Sequence, residues 1–162
     1  MAGLLILAVF LTSSLMSHRT SLFGNLQVSD AAKASSKLLG EKARAVIWVT
    51  STAVDGACGL TLEVENTGAT AIRHFPGMDV IVQFPTGNNQ ALEMVYSAAA
   101  PNLGEWTVIS ISGLFEAGIW NPGEDLTIQA QVPLLEAGNG LVTISTPNGV
   151  VTEAQFSGLI PC

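Results

Sequence analysis

The chain is short of charge. Only 12% of its 162 residues are Asp, Glu, Lys or Arg, 48% are apolar, and mean hydropathy is +0.45. An ordinary soluble domain carries about 25% charged residues. So apolar a composition excludes a disordered chain, and it implies apolar surface hidden in a membrane, a partner or further copies. Basic residues almost vanish after Arg44. Up to that point five bases face two acids; beyond it Arg73 stands alone against eleven acids, so a front at +3 precedes a body at −10. Two units in different surroundings are expected. The acidic body repels phosphates, and no basic stripe with interleaved aromatics occurs, which excludes nucleic-acid binding.

Cysteine is also scarce. Cys58 and Cys162, with only His18 and His74 to join them, fall short of a tetrahedral zinc site. In an exported protein two cysteines allow one internal disulfide, Cys58–Cys162, which would tie the chain end to the start of the second strand. Two unpaired thiols or a bridge between subunits are the alternatives. Catalytic signatures are missing: there is no G-x-S-x-G elbow, P-loop or H-E-x-x-H, and no N-x-[ST] sequon. His18, near Arg19, and His74, beside Arg73, lack the company a general base needs. Glu124-Asp125 lacks the spacing of a calcium loop and is expected to be a solvated strand start. The reading is of a non-enzyme without cofactor or metal.

Proline is absent from Met1 to Thr50. That stretch opens with MAGLLILAVFLTSSLM, which carries no charge; the first is Arg19. The apolar run is slightly shorter than the roughly 20 residues of a membrane span. It has neither a basic start nor an A-x-A-type cleavage site, so it is expected to be retained. Leu4, Ala8, Leu11, Leu15, Leu22, Leu26 and Ala32 recur at spacings of mostly three, four or seven, which is one helix face. From Gln27 to Arg44 the chain is rich in Ala, Ser, Lys and Leu, and small residues let helices approach closely. The stretch 1–45 predicts a single long helix, either a membrane anchor with a stalk or a helix that packs against its own copies.

After Val46 the period changes to two. Strands are predicted over 46–54, 59–66, 79–84, 91–97, 106–112, 124–132, 141–146 and 150–156, divided by Asp55-Gly56, Thr67-Gly68, Pro85 with the 86–89 loop, Asn121-Pro122-Gly123 and Pro147-Asn148-Gly149. In the second strand Leu60, Leu62 and Val64 point inward and Thr61, Glu63 and Glu65 outward. The pattern predicts an α+β protein: a helix over 1–45, then an immunoglobulin-like antiparallel β-sandwich over 46–162. Trp48, Trp106 and Trp120 are expected in the core or on a sheet face, with Trp120 an alternative anchor for a subunit interface.

Three passages carry a family resemblance. MAGLLILAVFLTSSLM with its long helix, AVIWVTSTAVDGACGLTLEVENTGATAI with its N-T-G-x-T-x-I turn, and NPGEDLTIQAQV with its P-G-E strand start together resemble the archaellins. Those are the filament proteins of the archaeal flagellum, which is type IV pilus-like. Leu5 stands where bacterial type IV pilins usually carry Glu, as in archaellins. The resemblance implies an extracellular structural subunit that polymerises helically with itself and meets the membrane only before assembly. It further implies motor and platform membrane proteins as partners. The filament core would be packed by Leu4, Leu5, Leu7, Ala8, Phe10, Leu11, Leu15, Leu22 and Leu26. The competing readings are a membrane-anchored, stator-like or envelope sandwich of the same machinery, and an adhesive pilin.

Overall fold

The computed structural model describes residues 28–55, 58–83, 91–113, 116–133 and 138–158. The described chain begins in a helix, α1 (28–44), and continues as eight strands: β1 (Ile47–Asp55), β2 (Gly59–Asn66), β3 (Asp79–Gln83), β4 (Ala91–Tyr96), β5 (Glu105–Ile111), β6 (Asp125–Gln131), β7 (Gly138–Ser145) and β8 (Val151–Gly158). A 3-10 turn, Phe75–Gly77, precedes β3. Each expected strand is present; β7 starts earlier than its apolar run because Gly138, Asn139 and Gly140 pair with Gly158, Ser157 and Phe156.

The chain divides into two compact units, 1–40 and 41–162. The second holds the sheet, in the order β1-β2-β6-β5-β4-β3-β7-β8. All neighbours are antiparallel except β4 and β5, which run parallel over the short pairing of Val95 with Glu105 and Tyr96 with Trp106. That pair departs from the wholly antiparallel arrangement expected. It splits the sheet into two antiparallel halves, β1-β2-β6-β5 and β4-β3-β7-β8. The outer strands β1 and β8 then come together, with Thr52 Oγ1 donating to Gln155 O at 3.2 Å, so the sheet nearly closes. The architecture is α+β with a sandwich- or barrel-like β unit; the immunoglobulin-like detail is not part of what the strand order shows.

The core follows the period of two. In β6, Leu126, Ile128 and Ala130 are buried while Asp125 is exposed and Thr127, Gln129 and Gln131 are half-buried. Leu60, Leu62, Val64, Val80, Val82, Val132, Val142, Ile144 and the two large rings Trp106 and Trp120 are fully buried as well. Each such aliphatic side chain contributes about 1.5–3 kcal/mol through its removal from water. Bulges interrupt the alternation at Thr50 in β1 and Ile109 in β5. A bulge residue has no cross-strand partner, and Ile109 is left exposed.

Candidate functional site: the junction of helix and sheet

The last carbonyls of any helix lack intrahelical donors. Here the turn after β2 supplies them. Ala69 N donates to Arg44 O at 2.7 Å, Gly68 N to Val46 O at 2.9 Å, and Thr70 Oγ1 reaches Glu41 O at 3.4 Å. The approach is so close that a Cβ on Gly68 would stand 2.4 Å from Val46 N and 2.7 Å from Arg44 O. Only glycine fits without moving backbone, so the glycine of the N-T-G turn is required by its neighbour rather than by the turn.

Behind that turn lies Asn66, fully buried. Its Nδ2 donates to Thr70 O at 2.9 Å and Trp120 O at 3.3 Å, and its Oδ1 accepts from Gly68 N at 3.2 Å. Its backbone N donates to Glu124 O at 3.0 Å, and its carbonyl accepts from Gly123 N at 2.7 Å. Trp120 Nε1 donates to the same Glu124 carbonyl at 2.7 Å. Trp120 and Ile72 exchange both backbone bonds, each 2.9 Å. The Glu124 carboxylate turns inward, accepting from Asn121 N at 2.8 Å and Asn121 Nδ2 at 3.3 Å. A Cβ on Gly113 would stand 1.8 Å from its other oxygen, so Gly113 makes the room.

The N-T-G-A-T and N-P-G-E passages, whose Asn66 and Glu124 stand 58 positions apart in the chain, are thus the two halves of one buried polar node. The expectation of a solvated start at Glu124-Asp125 is corrected for Glu124, which is buried because the Asn121 turn needs its carboxylate. Asp125 alone faces solvent. Alternation could have placed Asn66 inside, since it continues the inward series Leu60, Leu62, Val64. Trp106 and Trp120 are core residues, whereas Trp48 is 64% exposed on the outer face of β1. Trp106 Nε1 is a buried donor without a hydrogen-bond partner.

The node has no reactive arrangement. No group of three or more His, Cys, Asp or Glu among the described residues could hold a metal ion. His74 is exposed and borders a depression of about 180 Å³ with Glu41, Thr70, Arg73 and Asn148. That is below the roughly 300 Å³ at which small-molecule pockets begin. Arg73 pairs with Glu116 at 4.0 Å, both largely exposed, a pair of little energetic consequence. His18 and the core-packing set Leu4, Leu5, Leu7, Ala8, Phe10, Leu11, Leu15, Leu22 and Leu26 lie outside the described residues, as does Cys162. No helix among the described residues is long and apolar enough to cross a membrane. Cys58 is disulfide-bonded and adopts φ +62°, with its carbonyl held by Val132 N at 2.8 Å.

Solved structures of archaellum proteins are similar to this chain. The archaellum periplasmic stator protein FlaG of Sulfolobus acidocaldarius matches at TM-score 0.54 and 20% identity, over 69% of this chain and 99% of that one. The periplasmic stator complex of FlaF and FlaG from the same organism matches at 0.52 and 22%, over 68% and 87%. The archaeal flagellum of Methanospirillum hungatei strain JF1 matches at 0.60 and 12%, over 99% and 93%. The chain shares its fold with archaellum proteins of both kinds. No family model and no curated protein matches it.

Proposed function

We propose that the chain is a structural, non-enzymatic component of an archaellum-type motility apparatus. In this reading the β unit works outside the cell membrane as a stator-like module, held there through the apolar N-terminal segment. The observation that carries it is the likeness to FlaG, which takes in 99% of that chain at 20% identity. The junction suits such a role. A module that resists force needs its tether fixed to its body, and here backbone bonds from the N-T-G turn grip the last helical turn. Motor and platform membrane proteins of the same machinery would be its partners.

A second reading, the filament subunit suggested by the archaellin-like passages, is favoured by a different observation. The Methanospirillum filament match takes in 99% of this chain, not the β unit alone. In that role copies would bury Leu4, Leu5, Leu7, Ala8, Phe10, Leu11, Leu15, Leu22 and Leu26 against one another. Deleting the gene and shearing the surface filaments from the parent separates the two. A stator-like protein leaves filaments that contain none of it, on cells that have lost swimming. A filament subunit is the main band of the sheared material. Unimpaired swimming by the deletion strain overturns both.

A further inference from the structure

Of the six exposed large apolar side chains described on the second unit, Val46, Trp48 and Val151 stand where β1 meets β8; Val95, Leu103 and Ile109 stand elsewhere, on β4, before β5 and on β5. The strand order makes β1 and β8 run the same way, since every neighbour between them is antiparallel except β4 and β5. The Thr52–Gln155 bond then sets their relative height. Counting back four residues on each strand brings Trp48 level with Val151, to within the one-residue bulge at Thr50. Val46 lies just below. These three are 64%, 56% and 51% exposed respectively for Trp48, Val151 and Val46. Three such residues together on so acidic a unit call for a cover.

The charges around the patch are arranged by sign. Two residues below Val151, Lys42 Nζ lies 3.5 Å from where a Cβ on Gly149 would be. Two residues above it, Glu153 projects outward on β8. Glu65, the cross-strand partner of Trp48, adds a second carboxylate at the side. A two-fold axis through the Trp48–Val151 level, perpendicular to the strands, exchanges the two ends. Lys42 of one copy then faces Glu153 of the other, twice, around a shared apolar centre. Self-complementarity under rotation is what an isologous contact requires, and depletion of charge at the centre with charges at the rim is interface anatomy.

We propose that Val46, Trp48 and Val151 form a two-fold docking surface for a second copy of this chain, registered by Lys42–Glu153 pairs. The contact is independent of the stator or filament role and joins β units rather than helices.

The test is site-directed crosslinking of the full chain in the cells that make it, with a short thiol-specific crosslinker and the native disulfide intact. Trp48→Cys should give a 48–48 linked dimer at least about tenfold above Ile109→Cys, an exposed position away from the patch. Adding Lys42→Glu should cut the yield by about tenfold or more, because like charges then meet. Adding Glu153→Lys to that double variant should restore it. Equal yields at positions 48 and 109 overturn the proposal, as does a Trp48→Cys dimer that ignores both charge changes. Neither result bears on swimming or filament composition, so the functional reading stands or falls separately.

Discussion

The junction at Asn66 and the seam at Trp48 lie at opposite ends of what a protein surface can be, although only 18 residues separate them in the chain. At the junction every polar atom of Asn66 is bonded, the ring of Trp120 is buried, and glycine is forced at 68 by a neighbouring backbone. At the seam two strands meet with a side-chain bond from Thr52 and large apolar groups stand in solvent. The difference teaches where stability and association reside. A satisfied, buried node tolerates little change because each orphaned group carries its full desolvation cost. An exposed patch contributes little to the fold and is free to serve a partner.

That contrast can be broken from either side, and the largest effect belongs to the node. Trp120→Ala should destabilise the full chain by about 3–5 kcal/mol, from the cavity alone, and would also strip the Glu124 carbonyl of its indole donor. Chemical denaturation with a well-defined baseline measures it; a loss under about 1 kcal/mol would show that the node is not part of the cooperative core.

Next comes the disulfide, proposed between Cys58 and Cys162. The same strand register that levels Trp48 with Val151 levels Asp55 with Gly158, three residues before Cys58 and four before Cys162. A bond there would close the far end of the seam. Cys58→Ser should cost about 2–5 kcal/mol. On a non-reducing gel the parent should run as a monomer that shifts on reduction. A reducible ladder would instead mean bridges between copies.

Asn66→Ala should cost about 1–3 kcal/mol, because the Thr70 carbonyl loses its amide donor while Gly68 N–H and the Trp120 carbonyl keep only their backbone partners, Val46 O and Ile72 N. It should also speed amide exchange at Ala69, whose N–H holds the helix end, more than at β6. Uniform exchange across the unit would mean that the turn does not grip the helix locally. The smallest effect is expected at the seam: Trp48→Ala should change stability by no more than about 0.5 kcal/mol. A large loss of stability would place Trp48 in the core after all and remove the contrast.

Local chemistry made much of this legible. Period-two alternation needs only the pleat, so all eight strands and the inward faces of β2 and β6 could be read directly. The Asn-Gly and Pro-Gly turns mark their own positions because they meet backbone demands few other residues meet. Glu124 was misread for the same reason: a carboxylate at a strand start is solvated by default, and only the Asn121 turn folding beneath it makes burial favourable.

What the sequence alone determined was therefore the division into a basic, apolar, proline-free front and an acidic β body, the strands, and the absence of catalytic signatures. Tertiary structure decided the rest. It ran β4 parallel to β5, brought β8 round to β1, and joined the N-T-G and N-P-G-E turns into one node. Each of these depends on contacts between residues far apart in the chain, and alternation carries information about which face a side chain takes, not which strand lies beside it. Trp48 is the plainest case. Its parity in β1 already pointed it outward, but only the arrival of β8 made it the centre of a patch.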